Sequence, residues 1–326
     1  MNGRLEKELL AEKKMQEKLK VLPKIFSEYY TYLRAAKKTY TTLDVYINYV
    51  VHFARFLNDN YIDENFYQNV GVSDIEGYII SLETKEVNGQ LKRIGSDVQC
   101  ARWSGLNTFF DFLVKRGYLS ENIVAKTTRP KNTSEHAVTY LTKAEIKKIM
   151  GAINDNPSDI MRARDKTIMS LALSTGMRVG AIVNLNVDDL NFDEHTISVI
   201  EKGNKSRQIT IGGNAVQLLK DWVSVRDQKF NTLDTKALFI SQKNVRITSK
   251  AVGDMIKRYT AEAGINKHIT PHKCRSSAAT NLAAAGVSIQ AIAKQLGHSQ
   301  ISTTQKYVDV LKEEKAKTVN ILDNLF

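Results

Sequence analysis

The chain has 326 residues, 42% hydrophobic and 25% charged, which is enough length and apolar content for two domains with cores of their own. Lysine and arginine total 47 against 35 aspartates and glutamates, and the net charge of +12 points to a polyanionic partner, most simply nucleic acid. Two cysteines, Cys100 and Cys274, give no disulfide framework or metal-ligand spacing, and with no spanning apolar run or signal-peptide pattern we expect a cytoplasmic protein with no membrane partner.

Residues 1–22 are charge-dense, with Leu5, Leu9 and Leu19 at roughly helical spacing, and read as a solvated or frayed helical extension. Residues 23–125 read as an all-helical domain. Its stripes are Ile25, Tyr29 and Leu33; then Leu43, Ile47, Val50 and Phe53; then Ile75 with Ile79 and Ile80; then Trp103, Leu106, Phe109 and Leu113. Between the stripes, Lys38, Thr41, Arg93, Ser96 and Arg102 fall at helix starts, where such groups can meet phosphate or a major groove. Polar, basic residues 126–139 read as a linker.

The second domain, 140–310, opens on the capping box Thr142-x-x-Glu145. An apolar helix over 168–173 ends at Thr175-Gly176, and Arg178 begins the next turn. Alternation at Ile197 and Val199, and at Ile209 and Ile211, predicts a hairpin of 196–200 and 207–211 turning at Lys202-Gly203-Asn204-Lys205. Helices follow at about 213–226, 248–263, 275–285 and 288–295.

The most informative stretch is 270–307. Thr270 suits an N-cap and Pro271 the first helical position, so His272 and Arg275 lie on one face of a first turn, a good seat for phosphate. Gly297 reads as a helix stop that holds His298 on a tight turn. Ser302 and Gln305 read as a capping box that opens a short helix carrying Tyr307. Two imidazoles, an arginine and a phenol suit attack on a phosphodiester, and no metal ligands accompany them.

Five motifs in order carry a resemblance to a known family: Ser174-Thr-Gly-Met-Arg178, Glu201-Lys202-Gly-Asn-Lys205-Ser-Arg207, His272-x-x-Arg275, Leu296-Gly-His298 and Thr303-Thr-x-x-Tyr307. From Pro23 to Tyr307 the chain resembles the tyrosine recombinases, also called the phage-integrase family. That resemblance implies a mainly α fold with a small antiparallel β-sheet, in which a helical core-binding domain and a catalytic domain form a C-shaped clamp on double-stranded DNA. It implies that Arg178 and Arg275 hold the scissile phosphate, and that Lys202 protonates the leaving 5′-hydroxyl. His272 and His298 assist, and Tyr307 forms a 3′-phosphotyrosyl link without metal, ATP or other cofactor. Lys205 and Arg207 join the DNA-binding set.

The family also implies a homotetramer on two recombination sites, with accessory proteins in some members, a nucleoid location, and a C-terminal tail, 311–326, that docks on a neighbouring protomer. With little chain before Pro23, a separate arm-binding domain is not expected. Two departures stand out: Ala181 occupies the position where the family usually has an acidic residue, and Ser276 follows Arg275 where many members have His or Arg. The residues leave open a catalytically silent DNA-binding protein of this fold, or an enzyme resembling the type IB topoisomerases.

Overall fold

The computed structural model describes residues 3–58, 60–87, 89–133, 138–200, 206–230, 236–298 and 300–311. The chain divides into two compact units, Met1–Glu135 and His136–Phe326. Lys202, Lys205 and the tail beyond residue 311 lie outside the described residues. No described helix is long and apolar enough to cross a membrane.

The first unit contains helices α1 (Gly3–Leu19), α2 (Lys24–Ala35), α3 (Tyr40–Leu57), α4 (Val72–Ser81) and α5 (Ser96–Lys115), with a hairpin of β1 (Thr84–Val87) and β2 (Gln90–Arg93) between α4 and α5. Its core is aromatic: Phe26, Phe66 and Phe109 stack with centroids 5.9–6.4 Å apart, and Tyr29 meets Phe109 edge-on at 5.0 Å. Such rings bury large apolar areas and add directional contacts to them.

Two expectations for this unit are corrected. Far from frayed, α1 docks on α2 and α3 by burying Met15 and Leu19, one helical turn apart. Lys18 fixes its register by donating to Asp44 at 2.6 Å and Asn48 at 2.7 Å. Leu9, counted in the sequence stripe, is instead 52% exposed. The unit is also not all-helical. Its β-hairpin closes after the Val87–Gln90 pair, and Gly89 there has φ +74°, a backbone state that costs glycine little and most residues more.

The second unit is built on α7 (Asp159–Thr175), against which pack α6 (Lys143–Asn154), α8 (Val179–Asn184), α9 (Gly213–Lys229), α10 (Ser249–Glu262) and α11 (Pro271–Ala284). Thr142 and Glu145 form the reciprocal cap expected at the start of α6. The predicted hairpin is present as β4 (Thr196–Ile200) and β5 (Ser206–Thr210), and β3 (Leu190–Asn191) extends it to a three-stranded antiparallel sheet. Alternate residues Ile197, Val199 and Ile209 enter the core.

Asp165 is fully buried and accepts from Arg164 at 2.9 Å, Tyr259 at 3.0 Å and Arg258 at 3.2 Å. This pinning of α7 to α10 is maintained because a buried carboxylate must keep its donors. After α11 come α12 (Ile289–Leu296) and a last described helix, α13 (302–311).

If α1 is part of the fold, Leu19→Ala should destabilise the first unit by about 2–4 kcal/mol, the usual cost of emptying a buried leucine site. A urea titration of the full chain, read by a probe in the first unit, should show the earlier midpoint, whereas the exposed Leu9→Ala should leave it in place.

Candidate active site

Helix α11 organises the site. Thr270 caps it by accepting from the Lys273 N–H, and Pro271 fills its first turn, so the sequence signals for this helix start are realised. One turn in, Arg275 is only 3% exposed. Its guanidinium donates to the Gly176 carbonyl at 2.7 Å and to the Leu296 carbonyl at 2.6 Å. One planar fork thus binds the ends of α7 and α12 to α11. Arginine suits this duty because its donors are rigidly spread and it keeps its charge when buried.

Gly176 permits the approach. Its φ is +63°, and a Cβ there would lie 2.4 Å from Leu296 Cδ2 and 3.4 Å from Ala278 Cβ. The left-handed turn then delivers Arg178 to the N-terminus of α8, where the residue is exposed. On the other side, Gly297 ends α12 in a left-handed cap and His298 follows, its N–H donating to the Ala293 carbonyl at 2.9 Å.

The two imidazoles share one electrostatic environment. Burial, followed by the charges of Arg275, Arg178, Lys306 and His272, lowers the His298 pKa to about 4. His272 is shifted down as well, first by burial and then by Lys306, Lys273, Arg275 and Arg178. Four sequence-predicted residues from three separate segments, Arg178, His272, Arg275 and His298, are therefore brought together, with neutral imidazoles favoured among fixed cations. Lys306 belongs to the same group, although sequence reasoning does not single it out; its adjacency to Tyr307 is the only sequence signal.

Tyr307 is placed differently. It is 1% exposed and packs with Ala279, Ile292 and Leu296, with Val138, Leu282 and Ala283 at the margin of the cluster. Lys306 Nζ lies 5.2 Å from its ring centroid. The helix bearing it begins without the expected capping box. The Gln305 amide donates forward to Asp309 at 2.9 Å, and the first turn is held by the Thr304 N–H on the Ile301 carbonyl at 2.8 Å. Ala181, at the position where the resemblance calls for an acid, is half-buried against the core.

Among the residues expected to meet DNA, Lys38, Thr41 and Arg93 are exposed. Ser96 opens α5 and accepts from the Thr133 N–H at 2.9 Å. Two others are engaged within the chain. The Arg102 guanidinium donates to Tyr78 Oη at 2.8 Å and lies over the Tyr49 ring, 5.4 Å from its centroid. Arg207 donates to the Lys294 and Gln295 carbonyls at 3.0 and 2.9 Å, bracing the end of α12. Both guanidiniums serve the fold, because carbonyls and rings distant in sequence hold them.

Two outcomes follow. Gly176→Ala should destabilise the second unit by more than the ~1–2 kcal/mol that left-handed backbone alone costs an L-residue, because the new methyl also strikes Leu296; thermal melting of the full chain measures it. The imidazoles contribute to the acid limb of stability. His298 has a folded pKa near 4 against an ordinary 6.5, so the folded state binds its proton more weakly than the unfolded state does. That contribution is complete above the ordinary pKa and is lost as pH falls through 4. Between pH 6.5 and 4, His298→Gln should lose less stability than the unaltered chain, as a series of melting temperatures would show.

Comparison with known proteins identifies the family. Residues 139–314 match the model of the phage integrase family. The tyrosine recombinase XerC of Caldanaerobacter subterraneus is 30% identical over 312 residues, covering 91% of this chain and 86% of that protein. XerC of Haemophilus influenzae is 34% identical over 206 residues, covering 63% and 68%. Among solved structures, the XerH site-specific recombinase bound to palindromic difH substrate, in a post-cleavage complex, superposes with a TM-score of 0.70 at 19% identity, covering 89% of this chain and 82% of that one. A lambda integrase tetramer bound to a Holliday junction gives 0.63 at 20%, covering 86% and 76%, and these two likenesses speak to the fold. The chain belongs to the phage integrase family and is a site-specific recombinase of the tyrosine class.

Proposed function

We propose that this chain cuts and rejoins double-stranded DNA at specific sites through Tyr307. The observation that carries the reading is the convergence of Arg178, His272, Arg275 and His298 beside the N-terminus of α11, with Tyr307 two helices further along the chain. Tyr307 Oη attacks the scissile phosphorus, the bond to the 5′-oxygen breaks, and the phenol proton passes to a base. Neutral His272 is suited to accept it. Lys202 supplies a proton to the leaving 5′-oxygen. Arg178 and Arg275 offset the charge that gathers on the equatorial oxygens, and a fixed site does this without reorganising. The 3′-phosphotyrosyl bond retains the phosphodiester energy, so a 5′-hydroxyl from a second strand restores DNA by the reverse steps.

In this reading Tyr307 must first leave its apolar pocket, at a cost of about 2–3 kcal/mol for exposing a large side chain. Engagement of DNA and of neighbouring protomers offsets that cost. Four protomers on two sites, with the C-terminal tail exchanged between neighbours, would link cutting to assembly; the lambda integrase tetramer on a Holliday junction supports that arrangement. Lys38, Thr41 and Arg93 in the first unit contact the duplex, so affinity falls steeply with salt. The protein works on the nucleoid.

The test uses nicked duplexes tiled across the DNA flanking the gene, incubated in EDTA. The unaltered chain should leave a covalent protein–DNA adduct on a denaturing gel, while Tyr307→Phe should shift the same duplex in a native gel and leave none. An adduct formed by the Phe variant, or none by the unaltered chain on a duplex that it shifts, would contradict the proposal.

A further inference from the structure

Thr304, on the first turn of α13 and three residues before Tyr307, stands in the Thr303-Thr-x-x-Tyr307 motif without an assigned role, and it is fully buried. Its hydroxyl lies 2.7 Å from His298 Nδ1 and has no second hydrogen-bond partner among the described residues. Of the other buried helical threonines, Thr280 on α11 leaves its hydroxyl unpaired, and three behave differently from Thr304. Thr167, Thr175 and Thr260 each donate to the carbonyl four residues back, at 2.8, 2.5 and 2.7 Å. Thr304 lies too near its helix start to have such a carbonyl, and it turns to the imidazole instead.

Two arrangements of the shared proton are possible. If Nδ1 carried a hydrogen it would donate to Thr304 Oγ1, and the buried hydroxyl would then have no acceptor for its own proton. A buried donor without a partner is the costlier state. In the other arrangement the hydroxyl donates, Nδ1 accepts, and the neutral ring carries its hydrogen on Nε2, with every group satisfied.

We propose that Thr304 is a positioning residue that locks His298 as the Nε2–H tautomer, so that this imidazole presents a neutral hydrogen-bond donor to a phosphate oxygen. The contacts facing His298 agree. Arg275 and His272 from α11, Arg178 from the start of α8 and Lys306 from α13 all disfavour a charged ring, so a neutral donor is the form held there. The lock exists while Tyr307 is buried, so His298 is set before the nucleophile moves. What Nε2–H contacts rests on the recombinase reading; the tautomer does not.

Long-range proton–nitrogen correlation on the full chain, with its histidines labelled with nitrogen-15 and His298 assigned through His298→Gln, reads the tautomer directly at pH 7.5. The unaltered chain and Thr304→Ser should show a protonated Nε2 and a bare Nδ1, while the isosteric Thr304→Val should show a mixture. On the nicked flanking duplexes Thr304→Val should cut about tenfold more slowly, the loss expected for one neutral hydrogen bond, with a shifted acid limb, and Thr304→Ser should keep the rate. A protonated Nδ1 in the unaltered chain, or a valine variant unchanged in both tautomer and rate, would overturn the proposal. If valine prevents folding, the spectra of the unaltered and serine chains decide. A protonated Nε2 in a chain that cuts no DNA would uphold the lock and count against the recombinase reading alone.

Discussion

The second unit depends on the buried guanidinium of Arg275. It donates to the carbonyls of Gly176 and Leu296, groups at the C-terminal ends of α7 and α12 that have no intrahelical partner. A neutral side chain there would leave two carbonyls unsatisfied in the interior and would release the turns that carry Arg178 and His298. The same contact fixes Gly176, since only a residue without a Cβ fits between Leu296 and Ala278. Architecture and electrostatics thus meet in one residue.

Around that anchor the site holds more positive charge than it neutralises. Arg178, Arg275, Lys306 and Lys273 all bear on the imidazoles, and burial reinforces them in keeping the rings neutral. A cation cluster of this kind is unfavourable by itself and favourable once a phosphate enters, which places the binding energy where the chemistry needs it. Tyr307 sits apart, in a pocket of Ala279, Ile292 and Leu296. The fold therefore stores the phenol in an apolar cluster, with Lys306 over its ring.

Much of this was legible in the sequence where the signal is local. Thr142 with Glu145 and Thr270 with Pro271 mark helix starts because caps involve residues three apart. The alternation at Ile197, Val199 and Ile209 gives the hairpin for the same reason. The first unit's hairpin was also written locally, in Asn88-Gly89, but four strong helical stripes around it outweigh two short strands in any periodicity reading. Partners distant in the chain were not legible. Arg102 and Arg207, read as DNA contacts, also bind Tyr78 and the carbonyls of α12, which no local pattern announces. The docking of α1 through Met15 and Leu19, the burial of Tyr307 and the Thr304–His298 bond likewise arise from packing between segments.

The most direct test of the central claim identifies the atom that becomes linked to DNA. The EDTA-resistant adduct would be isolated on a nicked duplex, digested with trypsin and nuclease, and the nucleotide-bearing peptide sequenced by mass spectrometry. The account predicts a peptide that begins at Tyr307, cut after Lys306, with the 3′-phosphate on its first residue. A nucleotide on any other residue, or on none, would contradict it.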